Sequence, residues 1–171
     1  GIVVVQIALG GWTSANYAAL ACPDFPTCQT QWWPAMSFGD AFVLWRGLGV
    51  DYEGGVLDNP ARVAIHMTHR LGALVTLIYV GGLAVWLAAR ARATAVRGLG
   101  ALMGVVLVTQ VALGIGNVVL SLPLGIAAAH NAGAAVLLLT IVAANHALRP
   151  PLTAPLGWES ARPADWAMHR G

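Results

Sequence analysis

Three apolar runs, at about 60–89, 98–120 and 123–148, dominate the sequence and limit its folds. Each reaches the roughly 20 residues that a helix needs to cross a bilayer. In lipid, backbone groups must bond within their own segment or to a closed barrel, so runs of this length are helices. The expected class is therefore all-α, an integral membrane helical bundle. The first and third runs have a start signal. Asn59 and Pro60 suit the cap and first turn of the first helix, and Pro123 opens the third. The Gly100-x-x-x-Gly104 spacing permits close helix contact, although the pattern is common in apolar helices.

Composition agrees. Only 9% of the 171 residues are charged, against about 25% in a soluble domain. The cations are nine Arg and no Lys, without a basic stripe interleaved with aromatics, so nucleic acid is not an expected partner. The chain starts at Gly1 inside an apolar run lacking a basic leader region. Residues 1–12 are expected to be the end of a transmembrane helix, and the chain part of a longer protein. Arg90, Arg92 and Arg97 lie between the first two long runs and Arg149 follows the third, which places both sites on the cytoplasmic side. The 13–59 loop then lies outside. It carries Asp24, Asp40, Asp51, Glu53 and Asp58 against Arg46 alone. Trp12, Trp32, Trp33 and Trp45 suit a membrane interface, and Ser37 with Asp40 has capping-box spacing. A short interfacial helix is expected there, the alternative being a solvated loop with scattered aromatics. The tail 150–171 is Pro-rich, without apolar periodicity, and reads as a mobile cytoplasmic end.

Ionisable residues within an apolar span are costly and mark candidate sites. His66, His69 and Arg70 lie on the first long span and His130 on the third. At about 1.5 Å per residue, His69 lies roughly 13 Å below Pro60 and His130 roughly 10 Å below Pro123. The two imidazoles thus reach similar depth on helices that run the same way, as two axial ligands of one haem iron require. Gly72 and Ala73 follow His69, and Gly133 and Ala134 follow His130. These small residues are expected to leave room for a flat macrocycle. Arg70 suits a haem propionate, or else snorkels to headgroups. His66, one turn above His69, lines the pocket or meets a propionate, or is simply interfacial. The alternative for the His69/His130 pair is two separate imidazoles bonded to backbone. His146 lies near the cytoplasmic end, away from the site, and His169 is in the tail. A metal site without haem lacks the Cys or carboxylate that would complete it at that depth. Cys22 and Cys28 share the outer loop; an even count in an oxidising compartment favours a disulfide, structural or redox-active.

Three stretches together resemble the bacterial and mitochondrial haem A synthase family: GGWTSANY at 10–17, ACPDFPTC at 21–28 followed by WWP at 32–34, and IHMTHRLGA at 65–73. The likeness runs to about Arg149. It implies one four-helix half, the C-terminal one, of an eight-helix pseudo-symmetric protein whose N-terminal half is missing here. It implies that His69 and His130 are axial ligands of haem b. The implied reaction oxidises a methyl group of haem O to a formyl group, giving haem A for cytochrome oxidase. It also implies a loop disulfide, Cys22–Cys28. In the other half the family has a Glu three residues before the His-Arg pair. Here that position is His66, so the catalytic acid is absent from this chain, and the chain is expected to be inactive alone. Expected partners are haem, the other half, a haem O synthase, an electron-transfer protein and a second copy. The rival readings are a b-type cytochrome for membrane electron transfer, a cofactor-free membrane assembly protein, and a thiol oxidoreductase.

Overall fold

The computed structural model describes residues 1–45 and 55–149. Among these it is all-helical, with α1 (Ile2–Ala15), α2 (Phe38–Ala41), α3 (Asn59–Arg90), α4 (Thr94–Val119) and α5 (Leu124–Ala147). The helices α3, α4 and α5 are long and apolar enough to cross a membrane, and they match the three expected runs within a few residues. The tail with His169, and Arg46, Asp51 and Glu53 in the loop, lie outside the described residues.

Helix α3 starts where sequence predicts, but on a different cap. Asp58, not Asn59, is the N-cap; its Oδ1 accepts the Ala61 N–H at 3.0 Å. Asn59 is already helical. The extended backbone of Asp58 lets its short carboxylate reach back to a free amide of the first turn, and a negative charge there suits the helix dipole. Inside the spans, Thr68, Thr109 and Thr140 each donate to the carbonyl four residues back, which satisfies the hydroxyls without water.

The helices form two antiparallel hairpins, α1 with α3 and α4 with α5, joined along α3 and α4. The α3–α4 contact is close because Gly100 has no side chain. A Cβ there would lie 2.7 Å from both the Ala88 nitrogen and the Leu87 Cβ, while one on Gly104 would sit an ordinary 3.8 Å from the Ala84 Cβ. Only the first glycine of the expected pair is therefore required by packing. Val80, Ala84, Leu87, Met103, Leu107, Leu137 and Ala144 fill the core toward the Arg-bearing loop. A second cluster, Ala18, Ala41, Leu57, Ala61, Ala64 and Ile65, seats the 13–59 loop on the start of α3. On the opposite side α1 and α5 barely touch, so the bundle is closed along one seam and open along the other.

The helix around Ser37 is one turn long and ends at Ala41. The Ser37 hydroxyl donates to Asp40 at 2.7 Å rather than capping a backbone amide. Trp12 Nε1 donates to the Ala41 carbonyl at 2.9 Å, tying this turn to the end of α1. Phe42, Leu44 and Trp45 follow the turn as exposed side chains, as do Trp32 and Trp33 earlier in the loop.

Candidate functional site

The two half-buried histidines occupy equivalent places in the two hairpins. His69 on α3 faces Gly10 of α1, where an added Cβ would lie 3.1 Å from the ring Cε1. His130 on α5 faces Gly114 of α4, where the same distance is 3.2 Å. Each ring thus fits a slot that only glycine leaves open. Among the described residues no three His, Cys, Asp or Glu side chains gather into a metal-ion cluster. A pair of imidazoles without a third such side chain is the kind of donor set that a planar metal macrocycle takes, one ligand per face.

The glycines after the histidines do not leave the space expected of them. Gly72 is covered by the Gln6 side chain, and a Cβ on Gly133 would lie 2.7 Å from Gln110 Nε2. Both amides serve the histidine helices. Gln6 Nε2 donates to the His69 carbonyl at 3.0 Å and lies 3.1 Å from His69 Nδ1. Gln110 Nε2 donates to the His130 carbonyl at 2.7 Å. Neither glutamine stands out as a single residue. The signal that marks them is a repeat, Gln-x-Ala-Leu-Gly at 6–10 and 110–114, matched by His-x-x-Gly-Ala at 69–73 and 130–134.

Arg70 and His66 turn to the cysteine loop. Cys22 and Cys28 form a disulfide and are fully buried. Arg70 Nη1 donates to the Thr27 carbonyl at 2.8 Å, and Nη2 to the carbonyls of Cys22 at 3.0 Å and Asp24 at 2.8 Å. Its guanidinium also lies 5.7 Å from the Phe25 ring centroid, within cation–π range. Both terminal nitrogens are committed to the loop, and a propionate would compete with three carbonyls for them. His66 is buried, and its Nδ1 accepts the Cys22 N–H at 3.4 Å. Arg70 and His66 are one turn apart on α3, so the helix that carries His69 also holds the loop. His146 lies in the last turn of α5 and is exposed, away from the other histidines.

Asp24 organises the loop tip. It accepts from the Thr27 hydroxyl, from Gln29 N–H at 2.6 Å and from Thr30 N–H at 3.0 Å. Those two amides belong to residues with left-handed φ of 53° and 62°, a costly conformation that the carboxylate holds in place. The Thr27 hydroxyl, aided by the Thr30 and Gln29 amides, holds the Asp24 carboxyl below its usual pKa. A depressed carboxylate pKa adds stability above the ordinary carboxylate range and loses it as pH falls through the lowered value. Protease resistance of the 22–30 loop is therefore expected to fall only at strongly acid pH. Asp24→Asn should be more readily cleaved at neutral pH and show no such transition; an unchanged acid transition in that variant would point to another group.

The family described as cytochrome oxidase assembly protein matches residues 1–142. The haem A synthase of Shewanella oneidensis is 47% identical over 147 residues, 86% of this chain and 44% of that protein. Those of Paracoccus denitrificans and Rhizorhabdus wittichii are 34% and 31% identical, covering 88% of this chain each and 36% and 39% of their own lengths. The chain thus spans less than half of each of these relatives. No solved structure matches it significantly.

Proposed function

The chain belongs to the haem A synthase family of cytochrome oxidase assembly proteins, and on that premise we propose that it is the haem b-binding half of a haem A synthase. The whole protein would oxidise the methyl group of haem O to the formyl group of haem A. The observation that carries this reading is the paired placement of His69 and His130, one per hairpin, each against a glycine slot.

The residues fit the cofactor on grounds of their own. The His130 Nδ1 is buried without a hydrogen-bond partner, so this ring is not held in place as a packing imidazole bonded to backbone, the alternative reading for it. When bound, haem b supplies a one-electron carrier within the membrane. His69 and His130 would hold it from its two faces. Gly10 and Gly114 let the rings approach their neighbouring helices. Arg70 and His66 hold the disulfide loop on α3, beside His69. In this reading the loop would lie on the extracytoplasmic side of the cell inner (plasma) membrane, and the Arg-bearing turn and the C-terminus on the cytoplasmic side, as the distribution of Arg favours. The proposed partners are the N-terminal four-helix half, a source of haem O, an electron-transfer protein and a second copy.

A second reading, a b-type cytochrome that only passes electrons, gains support from His66. The family's carboxylate stands at the corresponding position of the other half, and an imidazole bonded to Cys22 N–H cannot replace it as an acid facing substrate. The two readings separate on extracted pigment. The full-length protein, expressed in cells that make haem O, should yield haem A by chromatography of the acid-acetone extract. Bound haem b with no haem A would select the electron carrier. No bound haem of either kind would remove both.

A further inference from the structure

We propose that Gln6 and Gln110 are positioning residues that set the planes of the two imidazoles, one glutamine per hairpin. The inference deepens the haem-binding reading and rests on it. It starts from the duplicated unit. In each hairpin, one helix carries Gln and Gly one turn apart, at 6 and 10 or at 110 and 114. Its partner helix carries His and then Gly three residues on, at 69 and 72 or at 130 and 133. The contacts repeat with the sequence. The glutamine lies over the partner's glycine, its Nε2 donates to the carbonyl of the histidine, and its own glycine faces the ring Cε1.

Each ring is thereby bounded by elements of one neighbouring helix. The glycine sets how near the ring stands, and the amide one turn away fixes the height and rotation of the helix that bears it. In the first hairpin the amide also reaches the ring directly, 3.1 Å from His69 Nδ1. A ring that binds iron through Nε2 carries its proton on Nδ1, so this amide nitrogen meets the ring as a contact that limits its rotation and not as a hydrogen bond. The carbonyl acceptors also fix which end of each amide is the nitrogen, an assignment that geometry alone would leave open.

The oxygen ends give an independent argument. Gln6 Oε1 and Gln110 Oε1 are both buried without a partner. An apolar side chain of similar length would fill the same space without burying an unbonded oxygen. Retaining an amide at both places is explained by what its nitrogen holds, the backbone carbonyl of the histidine.

The test uses the full-length protein purified in detergent, as wild type and as Gln6→Met, Gln110→Met and Gly114→Ala. Methionine keeps the length and removes the amide. The alanine methyl, 3.2 Å from His130 Cε1, must displace that ring while leaving the Gln110 hydrogen bond alone. The readouts are the low-spin EPR line positions of the haem, which depend on the angle between the imidazole planes, and its midpoint potential. Loss of an orienting contact outside the ligand set is expected to weaken haem retention about 10- to 100-fold. Where haem remains, all three variants should shift the EPR lines and the potential from wild type. If Gln110→Met retains no haem, Gln6→Met and Gly114→Ala carry the measurement. Full haem with wild-type lines and potential in both methionine variants overturns the proposal and leaves the glutamines as packing. A wild type without any His69-dependent low-spin haem overturns the haem-binding reading itself, a distinguishable failure.

Discussion

Replacing His69 or His130 with alanine is expected to abolish the low-spin haem spectrum of the site proposed for this half in the full-length protein, with the reduced α-band of that site lost in each variant. Among the described residues each imidazole is the one on its hairpin whose ring lies in a slot with glycine behind it. No neighbouring side chain is placed to take over. The nearest other imidazole, His66, is buried against Cys22 and has its Nδ1 engaged by that residue's amide. His146→Ala is the matched control and should leave the band intact, because that residue is exposed in the last turn of α5. Difference spectra, dithionite-reduced minus oxidised, measure both effects. A band that survives both His69→Ala and His130→Ala but disappears in His146→Ala would place the cofactor at the other end of the bundle.

The second large effect is expected at Arg70. Arg70→Ala removes two nitrogens that serve the carbonyls of Cys22, Asp24 and Thr27, and it removes the cation beside Phe25. Hydrogen bonds to a charged donor contribute about 1.5–3 kcal/mol each. The three share one side chain, and the half-buried loop regains some water when it opens, so their sum overstates the loss. A cost of about 3 kcal/mol to loop docking is expected, a factor of over 100 in the open population. The disulfide beneath is fully buried, so its reduction measures this opening directly. Under a fixed concentration of reductant, Cys22–Cys28 in Arg70→Ala should be reduced far faster than in wild type. Arg70→Lys should lie between, since a single ammonium cannot span the three carbonyls from two nitrogens as the guanidinium does. Equal reduction rates in all three proteins would show that the loop is held by its apolar contacts alone.

These two residues, adjacent in sequence, show what could be read before the fold was known and what could not. The helices were legible because long apolar runs in lipid admit one backbone solution, and the boundaries fell near Pro60, Arg90 and Pro123. The proposed pairing of His69 with His130 rests on depth along parallel-running helices, a one-dimensional quantity, and the structure adds that each ring lies against a glycine. The direction of Arg70 needed a third dimension. Its sequence number says that it is near His69, but the helix turns it about 100° away per residue, toward the cysteine loop. Asp58 displaced Asn59 as the cap because either can cap, and the choice depended on which of them remained extended. The glutamines were missed for another reason. An amide in an apolar helix is one polar residue among apolar neighbours, and its meaning appears only when residues 6–10 are aligned with 110–114. In a duplicated bundle, self-comparison finds what residue-by-residue reading passes over.

The seam along which α1 and α5 barely touch has a thermodynamic consequence. The bundle resembles a book with α3 and α4 as its spine and α1 and α5 as its covers, and the two histidines sit on the spine, His69, and on one cover, His130. A ligand that bridges them is a clasp. Because it binds the shut form alone, its binding energy adds to the closing of the covers, by about 2.7 kcal/mol when the free ligand stands at one hundred times its dissociation constant. Melting temperature should then rise with pigment content, and the unloaded protein should breathe first along the α1–α5 edge. In such a molecule, maturation and folding are two descriptions of one equilibrium.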